Sequence, residues 1–405
     1  MSNGSQRRWL SVRRYLNSSR ATLTAVAADL AAEWPRVEPA LITAEGWLPG
    51  APVPLERVRL AWRTDPPPTR VTGTEPQAFL VLPLREDGQR YASYAEVLGD
   101  VDPPATFEDR PCYRLLAAAP DGDEIRLEFG PGSYFEGVNV AEAVAHELAA
   151  VYMASADRGG RPHLNRTDLP LRALVGEPAD LAARTVVPAL CTLTVRHDTD
   201  SGEASFVLHW RDPQRVASAG GMYQVAPVGV FQPARSTPAA PDAAAPDAAA
   251  PDAAGPDAAA PDAAGPDAAG PDADPDFDRW RGIARELEEE LLGVAELRDV
   301  DYPSWPFLRG LDDARGTGRC RAYYLGLGVD PLTFVADLMT VVVLEAATFD
   351  KLFAGLVADN AEGRLIHPVP FTEENITRYA RTEPTQPAGA ALLELAWRHR
   401  GTLLS

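Results

Sequence analysis

Glu286, Glu289 and Glu290 are the residues of this chain whose type and spacing could do chemistry. They stand at i, i+3 and i+4, so a helix carries all three side chains on one stripe. Like charges at that spacing repel, at about 0.2–0.5 kcal/mol per pair. A hard divalent cation with oxygen ligands turns the repulsion into coordination, and Mg²⁺ or Mn²⁺ is the cofactor such a stripe would take. The plainer reading is a solvated face, because Glu is a good helix former and fills exposed positions.

A helix there is well specified. Trp280, Ile283, Ala284, Leu287 and Leu291 recur at helical spacing and form the stripe to be buried. The three glutamates fall off that stripe, free to face a cleft or solvent. Asp274 or Asp276 is expected to cap the start, and Gly293 to end the helix in a left-handed residue. Ahead of it, Cys191 to His197 and Ala204 to Trp210 alternate as two strands joined by a Gly-containing turn. A further apolar run covers Met222 to Pro233.

On these residues the C-terminal half resembles the Nudix hydrolase superfamily. The family's box runs glycine, five residues, glutamate, seven residues, then Arg-Glu-aliphatic-any-Glu-Glu, any residue, glycine. Arg285-Glu286-Leu287-Glu288-Glu289-Glu290 matches its core, with Gly293 one residue late. Leu208-His209-Trp210-Arg211 is similar to the first strands, and Pro227-Val228-Gly229 stands where the box opens. The front of the box departs from the pattern: the position of the first glutamate falls on Phe277, between Asp276 and Asp278.

The resemblance implies an α/β fold, a Nudix-like α/β/α sandwich, preceded by a smaller α+β region. It implies Mg²⁺ or Mn²⁺ on Glu286, Glu289 and Glu290, and Arg285 tying the helix to a carboxylate. Glu345 or Glu362 would serve as a base. Gly229, Phe231 and Tyr223 would face a nucleotide-type small molecule, with Trp305 also able to stack on a base. The implied activity is metal-dependent hydrolysis of a nucleoside diphosphate linked to another moiety. The alternative is a catalytically impaired Nudix-fold protein that senses a ligand or regulates a partner, because the first glutamate is replaced.

The whole chain also resembles actinobacterial proteins labelled transcriptional regulators. Gly46-Trp47-Leu48-Pro49, Ala145-His146-Glu147-Leu148-Ala149, Pro170-Leu171-Arg172-Ala173-Leu174 and Asp330-Pro331-Leu332-Thr333 carry that likeness. Those proteins frequently place a helix-turn-helix ahead of this region. It is missing here, so DNA binding does not transfer.

From Pro241 the chain repeats Pro-Asp-Ala-Ala-(Ala/Gly). Proline removes backbone donors, and Ala, Gly and Asp have no large apolar group to bury, so 238–275 is expected to be a disordered, anionic spacer. It interrupts the box. Loop closure costs only about 0.6 kcal/mol per doubling of length, so strands before it and helix after it are expected to form one domain, 190–405.

In front of that domain, residues 1–36 read as an amphipathic helical pair bearing Arg7, Arg8, Arg13, Arg14 and Arg20. Residues 37–185 read as an α+β region with Pro-rich loops. Its strand-like runs are Ala78 to Leu82, Cys112 to Leu116 and Ile125 to Phe129, the last two forming a hairpin, and Val140 to Met153 reads as a helix. Beyond Gly293, Arg319 to Leu325 and Leu338 to Leu344 are strand-like. The second is apolar throughout and so buried on both faces. Phe349 to Val357, Thr372 to Tyr379 and Pro387 to His399 read as helices.

Composition excludes several classes. A net charge of −20 argues against a nucleic-acid scaffold, which needs clustered Lys and Arg. Cys112, Cys191 and Cys320 show no ligand spacing, which argues against structural zinc and a disulfide framework and suits a reducing cytoplasm. His146-Glu147 opens like a zinc-protease motif, but Ala150 stands where the second His must be. No run reaches the roughly 18 apolar residues of a membrane span, and the N-terminus lacks the apolar core of a secretory signal. A protein partner or a homodimer is left open.

Overall fold

The computed structural model describes residues 3–104, 107–156, 164–212, 220–234, 274–360 and 362–405. The arginine-bearing N-terminus forms the expected helical pair, α1 (Gly4–Ser18) and α2 (Arg20–Leu30), with Asn3 and Gln6 in a reciprocal capping box. Short strands β1 (Arg36–Val37), β2 (Leu41–Ile42) and β3 (Val53–Pro54) follow, then β4 (Val58–Trp62). Helix α3 (Tyr94–Val101) precedes the hairpin β5 (Pro111–Asp121) and β6 (Glu124–Ser133), which runs into α4 (Tyr134–Ala156) and the short α5 (Pro170–Val175).

The second half opens with β7 (Ala189–His197), β8 (Ala204–Arg211), β9 (Tyr223–Val225) and β10 (Val228–Val230). Then come α6 (Arg279–Leu292), α7 (Pro306–Gly316), β11 (Cys320–Val329), β12 (Ala336–Glu345) and α8 (Ala346–Leu352). Strand β13 (Gly363–Pro370), α9 (Glu373–Thr377), α10 (Pro387–Arg398) and α11 (Arg400–Leu403) complete the order.

Ala78 to Leu82 corrects the strand-like expectation, since Ala78–Leu80 is a 3₁₀ turn. Its buried members, Ala78, Val81 and Leu82, recur at turn spacing, whereas Phe79 and Leu80 are exposed. A run without alternation cannot bury one face of a sheet.

The protein is an α/β fold around one mixed, curled sheet in the order β1-β2-β11-β12-β7-β8-β13, with β3 on β11, β9 on β8 and β10 on β7. β12 and β7 pair in parallel along Asp337 to Glu345, and every other pair in this sheet is antiparallel. A second sheet, β4-β6-β5, belongs to the N-terminal half.

The run Leu338 to Leu344 needs cover on both faces and has it. Leu338, Val342 and Leu344 point into the core shared with α6 and α7, while Met339, Val341 and Val343 point into the core under α10. The period of two along a strand produces this division. The first of these cores also takes in Trp9, Ile42, Phe129 and Val140 from the N-terminal half. Both halves therefore bury apolar surface against each other, and β1 to β3 extend the large sheet. No helix among the described residues is long and apolar enough to cross a membrane.

Most of the Pro-Asp-Ala-Ala repeat expected to be disordered, residues 235–273, lies outside the described residues. Its flanks are joined. The Ala234 amide donates to Asp276 Oδ2 (3.0 Å), the Asp299 amide to the Ala234 carbonyl (3.0 Å), and the Tyr302 hydroxyl to Asp276 Oδ1. With its ends held side by side, deletion of Pro241 to Gly270 should leave the melting temperature within a few degrees of the full chain in calorimetry. Separate transitions for the two sides would contradict the inserted-loop reading.

Candidate functional site

Helix α6 positions the glutamates because its other face is locked. Trp280, Ile283, Ala284, Leu287 and Leu291 are buried as the periodicity requires. Gly282 lets the helix approach β7 closely, since a Cβ there would lie 2.7 Å from Leu190 Cδ1. Gly293 ends the helix with φ 66°, as expected. The cap differs: Asp278 accepts from the Trp280 and Arg281 amides (2.8 and 3.2 Å). Asp276 instead holds Ala234 and Tyr302, and Asp274 accepts from the Tyr113 hydroxyl (2.9 Å).

With that stripe fixed, Glu286, Glu289 and Glu290 are half-buried on the wall of one cavity of about 730 Å³. Gly229 of β10 forms the opposite wall so closely that a Cβ would lie 1.9 Å from Glu286 Cδ. Glu290 Oε1 accepts from the Val228 amide (2.9 Å) and Glu289 Oε1 from the Leu297 amide (2.8 Å). Among the described residues no three His, Cys, Asp or Glu side chains converge as a ready metal cage. Glu289 and Glu290 each lean on a different backbone amide.

The electrostatics are those of crowded acids. Burial, then the Glu289 carboxylate, pushes Glu286 up to about 8. Burial pushes Glu289 up to about 7, the Leu297 amide opposing it. Glu290 lies well above the ordinary carboxylate range through burial, then through Glu362 and Glu286. Its Oε2 is buried without a hydrogen-bond partner, 3.8 Å from His209 Nδ1. That contact is not an ion pair, because burial lowers His209 to about 4 and leaves the imidazole neutral.

The remaining candidates divide. Glu362 lines the cavity, accepts from Arg211 Nη1 (2.5 Å) and is held by a turn in which Asn360 Oδ1 accepts from its amide (2.9 Å). Glu345 ends β12 and leads into α8, away from the cavity. Arg285 Nη2 donates to the Gln232 carbonyl (2.9 Å), so it ties α6 to the segment after β10 through a backbone acceptor where the resemblance implies a carboxylate.

Gly229 lines the cavity, but Phe231 and Tyr223 do not. Phe231 is fully buried against Tyr113, Phe129 and Phe277, and Tyr223 packs edge-on against Tyr379. Trp305 donates from its indole nitrogen to Glu288 (2.9 Å). Phe277, at the position of the missing glutamate, belongs to the same aromatic cluster as Phe231. Asp276 and Asp278 beside it are committed to their amide partners.

Sequence reasoning missed Arg110, Glu108 and Glu296. Arg110 Nη2 donates to Glu296 Oε2 (2.8 Å), and its Nε lies 3.4 Å from Glu108. Arg110 precedes β5, far from α6 in the chain, so no local spacing links them. Outside this cavity, His146 is buried against Trp9, and Glu147 accepts from the Leu171 and Arg172 amides. The three cysteines are free and buried. A comparison with models of known protein families, and another with curated proteins, finds no match for this chain.

Proposed function

We propose that this protein is a metal-dependent, Nudix-type hydrolase of a nucleoside diphosphate linked to another moiety. One observation carries the reading: three carboxylates from one helix face line one cavity, where burial above all raises their hold on protons. The donor set suits the ion. Its oxygens are hard ligands, and Glu290 Oε2 is an unpartnered buried acceptor. Glu286, Glu289 and Glu290 would hold Mg²⁺ or Mn²⁺, which when bound neutralises phosphate charge and makes a bound water acidic.

The chain's own residues supply the rest. Arg110 and Arg211 carry guanidinium groups on the same cavity wall, where phosphate oxygens compete with Glu296 and Glu362 for them. Glu362, once released from Arg211, is a half-buried carboxylate able to take a proton from the attacking water. Gly229 leaves room for Glu286 beside β10.

Incubation with a panel of nucleoside diphosphate sugars and dinucleoside polyphosphates, plus Mg²⁺ or Mn²⁺, tests the proposal. Phosphate-ester products should form and fall at least about 100-fold with Glu289→Gln, the scale of a lost acid–base or ligand group. The second reading, a ligand sensor without turnover, is favoured by Phe277 filling the first-glutamate position. Binding of panel members without product would decide for it.

A further inference from the structure

A second cavity of about 170 Å³ adjoins the acidic one, and Tyr134, Ala189 and Val230 line both. Its surface is mostly apolar, with Leu98, Phe107, Val138 and Val335 among the wall residues. Of the polar side chains on its wall, those of Arg13, Glu142, Arg184, Thr185 and Thr333 already have partners in the protein, and Tyr134 stands where the two cavities meet. Arg13 is held by Asp102 (3.1 Å), Glu142 (2.8 Å) and the Tyr94 hydroxyl (3.3 Å). Arg184 donates to the carbonyls of Asp180, Pro178 and Phe334. The Thr185 hydroxyl donates to Glu136 (3.2 Å), and Thr333 Oγ1 accepts from the Val335 amide (3.3 Å).

A nucleobase buried there would find most of the side-chain donors and acceptors already engaged, and an unmade buried hydrogen bond is expensive. A hydrocarbon meets no such penalty. The volume is close to that of an apolar cavity of about 150 Å³ that stays dry and takes benzene. We infer that this chamber binds an apolar group the size of one ring, the non-phosphate end of the molecule whose phosphates occupy the carboxylate cavity. The chamber's affinity for hydrocarbon stands alone; its role as half of a two-part site rests on the function proposed above.

Two measurements separate those statements. Toluene added to the metal-free full chain should give saturation-transfer NMR signals. These should be lost in Ala141→Phe, on α4, and in Val335→Phe, just ahead of β12, each of which puts a ring into the chamber. Two variants guard against one failing to fold, which a thermal melt reads directly. In calorimetry with Mn²⁺, the β-benzyl ester of ADP should bind at least 10-fold more tightly than the β-methyl ester. Ala141→Phe should erase that ratio and leave the methyl ester's affinity unchanged. Toluene that does not bind, or binds folded variants as it binds the parent, overturns the chamber. Toluene binding with equal affinities for the two esters overturns the two-part site. Loss of all Mn²⁺ uptake with toluene binding intact overturns the proposed hydrolase and the two-part site, and leaves the chamber standing.

Discussion

Glu290→Gln should make the metal-free protein more stable at pH 8 and, in the same molecule, lower metal-dependent turnover by at least about 100-fold. The stability gain follows from linkage. A carboxyl whose pKa is higher in the folded than in the unfolded chain holds its proton more tightly when folded. Its contribution is therefore present below the unfolded value and is lost as pH rises through the folded one. Glu286 rises to about 8 and Glu289 to about 7, and Glu290 lies well above its ordinary value in the same direction.

The wild-type apo-protein should therefore weaken between about pH 4.5 and pH 8. A tenfold difference in proton affinity between folded and unfolded chain corresponds to about 1.4 kcal/mol. Relief of this buried acid by glutamine should thus raise stability at pH 8 and change it little at pH 4. Mn²⁺ at 100 times its dissociation constant should restore about 2.7 kcal/mol to the wild type and much less to the variant. Urea melts at pH 4, 6 and 8 with and without Mn²⁺ measure all of this. A wild-type stability that is flat over that range would remove the crowded-acid account.

Gly229→Ala should behave as a remote deletion of Glu286. The added Cβ would lie 1.9 Å from Glu286 Cδ and 2.0 and 2.2 Å from its two oxygens, distances no pair of atoms sustains. What must yield is the far end of a flexible side chain. Glu286 therefore turns out of its place while β10 and α6 stay where they are. The expected result is a fall of about 10- to 100-fold in Mn²⁺ affinity, the scale seen when groups supporting a metal ligand are lost. The melting temperature should change little. Isothermal titration with Mn²⁺ beside a thermal melt separates the outcomes, and an affinity equal to wild type would mean that Glu286 holds no ion.

Much of this arrangement was legible in the chain. The alternation of Cys191 to His197 and Ala204 to Trp210 yields β7 and β8, paired antiparallel through Val195 and Phe206. The helical recurrence from Trp280 to Leu291 yields α6 with the glutamates off its buried stripe. The unbroken apolar run at Leu338 to Leu344 becomes a strand covered on both faces. Local periodicity suffices where one element has one face to bury.

It fails where partners are distant or elements too short to show a period. Strands β1, β2 and β3 have two residues each; β2 and β3 join the sheet on β11, hundreds of positions away, and β1 joins it through β2. β13 loses its alternation at His367-Pro368, where the register shifts between Ile366 and Val369. Phe231 and Tyr223 reveal their aromatic type in the sequence but not their neighbours. Whether an aromatic ring meets a ligand or another ring is decided by tertiary packing. The same limit hid Arg110.

The pinning of Ala234 to Asp276 has a practical outcome. A foreign domain grafted in place of Pro241 to Gly270 would enter and leave through two neighbouring points, without prying β10 from α6. A fluorescent protein carried there would sit within reach of the acidic cavity's own helix, giving an optical handle on ion binding in living cells.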